Sequence, residues 1–365
     1  MFTQTSRPIF DVSMAEDAGE GSATTIIGTC IVDGSTKRLL KRIQPGQIAV
    51  LSHQDIDELA ASELVEKKVS AVINARSTFS GRYQTAGPRR LLEAQIPVFD
   101  LRRSKDFQLF REGMTLWLTD REIGCWDGTH FHLLAEASRL TWDAYRQRWS
   151  QAKDNRLMEF HKFAENTLKN AQMDLHQMFH QSANLPLTTV MAGRTVVIVA
   201  RGQHYKKDLQ VLRPFILREK PLLIGVDGGA DALLECGLRP DLIIGDMDSV
   251  SVTALCSGAE LVVHAYPDHS APGMRRLQEF GLSGHLFPMF GTSEDAALML
   301  AYEKGAEKMI LLGSHSNMID FYEKSREGMG STCLVRMWVG DRLIDAKGFH
   351  YLITQEMATT VVESW

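Results

Sequence analysis

Residues 221–249 read PLLIGVDGGADALLECGLRPDLIIGDMDS, and they constrain the fold more than any other stretch of the chain. One apolar run, 221–226, stops at Asp227-Gly228-Gly229. A second, 242–244, stops at Gly245-Asp246-Met247-Asp248-Ser249. A helix-like stretch separates them, so the segment scans as a βαβ-like unit with two neighbouring buried strands. Acids at the carboxyl ends of such strands point into the crevice where open α/β sheets bind ligands. Three carboxylates in one crevice (Asp227, Asp246 and Asp248) repel one another and call for a cation. Hard oxygen donors of this kind suit Mg2+ carrying a nucleotide phosphate. The competing reading is that Gly228 and Gly229 make a tight turn and the acids cap helices.

The rest of the second half fits around this unit. Residues 184–189, with Pro186, read as a linker, and 195–200 as the first strand of an α/β domain. Arg201 follows that strand, where it either contacts phosphate or flanks a turn. Lys206 and Lys207 open the next helix against its dipole, which an anionic ligand or full solvation would explain. Thr292 and Ser293 are placed to cap a helix starting at Glu294, with Asp295 in its first turn.

The amino-terminal half reads as a smaller α/β domain. Residues 24–43 suggest a short hairpin, and Pro45-Gly46 a turn. Strands are expected over 47–51, 70–74 and 96–99, with helices over 55–67 and 89–94, a β-α-β-α-β order that implies a small parallel sheet. Asn74, Ser80, Gly81 and Arg82 fall in a strand-end loop and form a second candidate site. Arg82 suits an anionic ligand or a partner carboxylate, and the alternative is a polar crossover loop. Residues 113–132 look like hairpin material around Asp127-Gly128.

A helix is expected from about 133 to 183. Trp142, Tyr145, Trp149, Phe160, Phe163 and Leu168 recur on it at helical spacing, and Met178 and Phe179 extend the stripe. So aromatic a stripe favours a homodimer or partner surface over packing on its own domain. His176 and His180 lie one turn apart, without an acidic third ligand, and read as solvated.

Composition narrows the classes. The 365 residues suffice for two or three domains, and 44% hydrophobic content supports sizeable cores. A net charge of −5 argues against broad nucleic-acid binding. Five cysteines without a C-x-x-C pair read as reduced, mostly buried thiols of a cytoplasmic protein. Residues 1–23 lack an apolar signal core and read as a disordered tail. No run of eighteen apolar residues occurs, so no spanning segment is expected. The final stretch, 349–362, reads as a surface strand and short helix.

At DGGAD (227–231) and PDLIIGDMDS (240–249) the chain resembles the catalytic domain of thiamin pyrophosphokinases, which carry DGGAN-like and PD-x-IIGDFDS-like motifs. The resemblance implies an ATP-dependent diphosphotransferase fold. Asp227, Asp246 and Asp248 would be its metal- or phosphate-side residues, and Asp295 would join them as a catalytic acid. It also implies nucleotide contacts from Arg201, Gly202, Asp227, Gly228, Gly229, Asp246, Ser249, Thr292, Ser293, Gly313 and Asp320. The chain departs from the pattern in three places. Glu294 stands for a threonine, and Met318 and Phe321 stand for an arginine and a histidine. Little more than two strands and a tail follow Gly340, where thiamin kinases carry a β-rich domain that helps enclose thiamin.

A broader resemblance, to the SteA-like cytokinetic-ring family, is carried by 36–43, 45–50, 72–75, 80–83 and 87–97. In the second half it continues through 199–202, both acidic motifs, 264–268, 271–273, 291–295, 330–332 and 345–348. It implies a role in cell division and envelope assembly beside a membrane-protein partner, with cytoplasmic placement and recruitment to the membrane at the division site. Many relatives add an apolar carboxyl-terminal segment, which implies a soluble form or one lacking that anchor. The expected fold class is α/β. Its expected domains are a tail (1–23), a small α/β domain (24–132), a helical connector (133–189), a Rossmann-like thiamin pyrophosphokinase-like domain (190–340) and an extension (341–365). The expected cofactors are Mg2+ and ATP or another nucleotide.

Overall fold

The computed structural model describes residues 25–178, 185–265 and 270–353. The expected amino-terminal tail, Phe179, His180 and most of the final stretch lie outside them. The chain forms two compact units. Residues up to Asp55, Ala60–Thr78 and Pro88–Tyr145 make the first, while Ile56–Leu59, Phe79–Gly87 and the chain from Arg146 onward make the second. The division therefore falls inside a helix at 145/146 rather than at 132.

The first unit is a closed barrel. It contains β1 (Ile26–Asp33), α1 (Thr36–Leu40), β2 (Ile48–Leu51), α2 (Glu58–Glu66), β3 (Ala71–Asn74), α3 (Gly87–Glu93), β4 (Val98–Leu101), β5 (Thr115–Leu118), β6 (Glu122–Trp126) and β7 (Phe131–Arg139), with the ends of α2 and α3 shared across the division. Strands β1 to β4 pair in parallel, and β4-β7-β6-β5-β1 closes the circuit with antiparallel pairs. Three expectations change here. The parallel sheet exists, but two hairpins close it into a barrel. Residues 24–43 hold a strand and a helix rather than a hairpin, because β1 finds its partners in β2 and β5. Residues 133–139 are strand rather than helix. They continue the ladder from β6 to β4, burying Ala135 and Ala137 with Ile123, Leu116 and Phe99 in the barrel core.

The long helix α4 (Trp142–Met178) starts only after this ladder ends. Of the five cysteines, Cys30 alone is fully buried, Cys125, Cys236 and Cys333 are half-buried, and Cys256 is exposed.

The second unit is a doubly wound sheet. Its elements are β8 (Thr195–Val199), α5 (Tyr205–Glu219), β9 (Leu222–Val226), α6 (Gly229–Glu235), β10 (Leu242–Gly245), α7 (Val252–Leu255), β11 (Glu260–Ala265), α8 (Pro272–Glu279), β12 (His285–Pro288), α9 (Ser293–Glu303), β13 (Lys308–Leu312), α10 (Met318–Glu323), α11 (Gly330–Val339) and β14 (Leu343–Asp345). All seven strands run parallel in the order β12-β11-β10-β9-β8-β13-β14. Residues 343–345 therefore form the edge of this sheet rather than a separate extension. Both faces are buried, as continuous apolar strands require. Val196, Ile198, Ile224 and Ile244 pack with the alanine-rich α9 on one face. Val197, Val199 and Leu223 pack under Tyr205, Leu209 and Ile216 of α5 on the other.

Part of α4 belongs to the core of this unit. Phe163 clusters with Tyr83, Phe321 and Tyr322, and Trp149 lies against Phe79. A Cβ on Gly330 would sit 2.4 Å from Ala171 N, so α4 meets the start of α11 backbone to backbone. The stripe thus divides between packing on its own unit and exposure: Leu168 is 71% exposed and Phe160 56%, and Leu157, outside the stripe, is 79% exposed.

Candidate functional site at the strand ends of the second unit

The two acidic turns interlock. Strands β9 and β10 are neighbours, and Asp227 N–H donates to Ile244 O at 2.9 Å. Asp227 has φ +48, a left-handed conformation unusual outside glycine and common at functional turns. This turn lays its carboxylate on the next strand end: a Cβ on Gly245 would fall 1.9 Å from Asp227 Oδ1. Only glycine fits there, and its φ of +151 demands the same residue. Gly229 is needed for a similar reason, since a Cβ would lie 1.8 Å from Val199 O, so α6 starts directly against β8.

Beyond Gly245 the chain reverses sharply. Met247 has φ +66 and buries its side chain with Val250, Leu255 and Val263, while Asp246 and Asp248 stay exposed on either side. Asp246 Oδ1 accepts from Asp248 N at 2.9 Å. Arg276 of α8 pins the loop from below, donating to Met247 O and to Val250 O. Gly273 lets α8 approach, because a Cβ there would meet Asp246 O at 2.6 Å. Ser249 is half-buried and makes no described side-chain bond.

Arg201 leaves β8 beside these turns. Its Cδ would be 2.6 Å from a Cβ on Gly228, and its guanidinium lies over the Tyr205 ring at 5.8 Å. Asp227, Gly228, Gly229, Arg201 and Asp246 are thus gathered at one rim. Asp227, Asp246 and Asp248 supply oxygen donors of the type that Mg2+ accepts together with phosphates. Among the described residues no three His, Cys, Asp or Glu side chains converge as a ready-made metal cage.

Other expected site residues serve the fold. Gly202 and Gly313 face each other rather than a phosphate: a Cβ on Gly202 would meet Gly313 O at 2.3 Å. Asp295 is fully buried. It forms a capping box with Thr292, and its Oδ2 also accepts from Ser331 Oγ at 2.9 Å and Thr332 Oγ1 at 3.0 Å. Burial raises its pKa, although these donors oppose the shift. A group so enclosed positions the start of α9 instead of presenting an acid to a ligand. Asp320 is likewise engaged, accepting from Ser316 N, Asn317 Nδ2 and, at 2.5 Å, Lys347 Nζ. Ser293 faces His264 of β11, with Oγ 3.4 Å from Nδ1, while Nε2 donates to Met289 O at 2.8 Å. Burial lowers the His264 pKa.

The second candidate site is not one site. Asn74, in the first unit, is a buried clip: its amide accepts from His53 N and donates to His53 O and Thr78 Oγ1. Ser80, Gly81 and Arg82 belong to the second unit. Ser80 Oγ accepts from Arg82 N, and Gly81 O accepts from Asn155 Nδ2. Arg82 does meet carboxylates, but of its own chain. Nε donates to Glu159 Oε2 at 2.7 Å, the two Nη atoms to Glu327 at 3.0 and 2.7 Å, and the guanidinium covers Tyr322 at 4.4 Å. Burial pushes the Glu159 carboxyl up, yet Arg82 and Lys162 outweigh it and the net shift is down.

Sequence reasoning missed Arg276 and the pairing of Glu294 with His315, whose Nδ1 and backbone N–H both reach the Glu294 carboxylate. The signal for the pair was present. A glutamate replaces the expected threonine, and a histidine follows a strand end at Gly313-Ser314.

Fold and strand-end acids together define a mixed α/β protein with acidic turns at adjacent strand ends of a parallel sheet. Over part of its length the chain is similar in sequence to pyrophosphokinase-type enzymes. It is 29% identical over 186 residues to a 6-hydroxymethyl-7,8-dihydropterin pyrophosphokinase of Methanocaldococcus jannaschii, covering 44% of this chain and 75% of that protein. No protein-family model matches the chain. Among solved structures, a thiamin pyrophosphokinase from Geobacillus thermodenitrificans aligns at 23% identity and TM-score 0.27, over 41% of this chain and 58% of its own. A thiamine pyrophosphokinase from Bacillus subtilis aligns at 22% and 0.26, over 41% and 60%. Each alignment thus spans less than two thirds of the solved chain. Among the described residues no helix is long and apolar enough to cross a membrane.

Proposed function

We propose that the second unit binds the phosphates of a nucleotide, with ATP as the leading ligand, and that the phosphates themselves complete the coordination of an Mg2+ ion held by carboxylates from the Asp227, Asp246 and Asp248 turns. The observation that carries this reading is the lock of the Asp227 carboxylate onto Gly245, which joins two acidic turns at adjacent strand ends. Its support from relatives is the similarity to a pyrophosphokinase. When bound, Mg2+ would offset phosphate charge, and Arg201 would add a fixed cation from the neighbouring strand. Calorimetric titration of ATP with and without Mg2+ tests the reading, repeated with Asp246→Asn and Asp248→Asn. Mg2+-dependent binding that weakens at least tenfold in the variants is expected; equal affinity in all conditions overturns it.

The cellular role we propose is that of a SteA-like division protein, cytoplasmic and recruited to the membrane by a membrane-protein partner. The many spaced matches along the chain support it, and a fluorescent fusion that fails to gather at the division site would refute it. Self-association through α4 is part of the proposal, favoured by the exposed Leu157, Phe160 and Leu168. Light scattering should report a dimer, and Leu157→Glu with Leu168→Glu should convert it to a monomer. A second functional reading is turnover: transfer of pyrophosphate from ATP to a hydroxyl acceptor. The Glu294–His315 pair is the observation that favours it.

A further inference from the structure

The chain leaves β13 through Gly313 and Ser314, and His315 then turns back onto the first turn of α9. Both oxygens of the Glu294 carboxylate are used: Oε2 accepts from His315 N at 3.0 Å, and Oε1 accepts from His315 Nδ1. An ionised carboxylate has no proton to give, so in the neutral imidazole Nδ1 carries the hydrogen and Nε2 keeps the lone pair. No described residue bonds Nε2, and the side chain keeps 18% of its surface exposed. Glu294 is itself fixed, because the flanking Thr292 and Asp295 close the capping box of α9. A carboxylate that orients one ring nitrogen and leaves the other open is the arrangement of a general base.

Its place in the sheet matters as much as its chemistry. Strand β13 pairs with β8, with Leu312 opposite Val199, so His315 emerges beside the strand end that carries Arg201. Arg201 in turn lies on the Gly228 turn. Strands β9 and β13 flank β8, roughly 10 Å apart from each other. A polyphosphate lying across these ends, together with an acceptor, spans that distance.

We propose that Glu294 and His315 form a proton-transfer dyad for pyrophosphoryl transfer from a nucleoside triphosphate to a hydroxyl acceptor. This rests on the reading of the acidic turns as a nucleotide site. The acceptor oxygen attacks the β-phosphorus and its proton passes to His315 Nε2. The new oxygen–phosphorus bond forms as the bond from the β-phosphorus to the α,β-bridging oxygen breaks. That oxygen leaves on the nucleoside monophosphate, the acceptor keeps the pyrophosphoryl group, and His315 returns its proton to solvent. With water as acceptor the products are the monophosphate and pyrophosphate. Glu294 is a positioning residue that holds the tautomer.

The test uses the full chain with ATP and Mg2+, in water alone and with thiamin or 6-hydroxymethyl-7,8-dihydropterin as the hydroxyl compound. AMP release and ATP affinity are measured in parallel. AMP is expected, and His315→Gln should lower kcat by about 10²–10⁴-fold while ATP affinity stays within about twofold. The acidic limb of the kcat–pH profile should vanish in that variant. Glu294→Gln should lower kcat less and move the limb to lower pH, a change that a purely structural pair would not produce. ATP binding without AMP release, or a His315→Gln variant with unchanged kcat, overturns the dyad and leaves the nucleotide reading standing. Absence of ATP binding overturns both.

Discussion

Replacing Glu323 by glutamine should abolish a pH dependence built into the second unit. Glu323 ends α10, and its Oε1 lies 2.7 Å from Thr85 Oγ1, which also lies 3.3 Å from Ile56 O. One hydroxyl hydrogen cannot serve both acceptors. If Glu323 is protonated, it donates to Thr85 and Thr85 donates to Ile56 O; if it is ionised, Thr85 must turn to Glu323 and the Ile56 carbonyl loses its donor. Burial, aided by the charges of Asp57 and Asp320, pushes the Glu323 pKa from 4.5 up to about 7. The folded-state pKa is raised, so the stabilisation is fully present below pH 4.5 and is lost as pH climbs through 7. A shift of that size corresponds to about 3 kcal/mol. Glutamine donates like the protonated acid at every pH. Urea unfolding at intervals from pH 4.5 to 8.5 should therefore show wild-type stability falling by up to about 3 kcal/mol, with a much flatter curve for Glu323→Gln and a more stable variant at pH 8. Equal slopes for the two proteins would refute the argument.

Three further perturbations follow from the same geometry. Arg82→Met should destabilise the second unit by about 2–4 kcal/mol in urea unfolding, because it leaves the buried Glu159 carboxylate with only Lys162 as a charged partner; the figure allows for the partial exposure of Arg82. Gly229→Ala drives a methyl group into Val199 O, so soluble expression should collapse or the melting temperature should drop by several degrees. Asp295→Ala removes the side-chain half of the capping box of α9 and leaves the hydroxyls of Ser331 and Thr332 without their acceptor, for a loss of about 2–4 kcal/mol measured by thermal unfolding.

How far the site was legible depends on the reach of each signal. The apolar runs ending at Asp227 and Asp246 announce parallel strands, because burial on both faces removes polar alternation locally. Gly228 and Gly229 follow from the same pattern. Asp295 is expected as a catalytic acid and Asp320 as a nucleotide contact, yet the fold encloses both: their partners Ser331, Thr332 and Lys347 lie 27 to 37 residues away. Arg82 reads as suited to an anionic ligand or a partner carboxylate, but Glu159 and Glu327 of its own chain take that place. His315 escaped notice because its meaning depends on Glu294, 21 residues earlier.

By itself the amino-acid sequence determined the βαβ unit, the positions of the strand-end acids and the existence of a long helix beyond Trp142. Each of these rests on side-chain periodicity within a short window. Tertiary structure alone decided that hairpins close the first sheet into a barrel and that residues 133–139 join a ladder. It also decided that the Asp227 carboxylate seats on Gly245 and that a histidine faces a glutamate at the neighbouring rim. These outcomes turn on which strand edges and turns meet across the chain, and a local pattern carries no information about its distant partner.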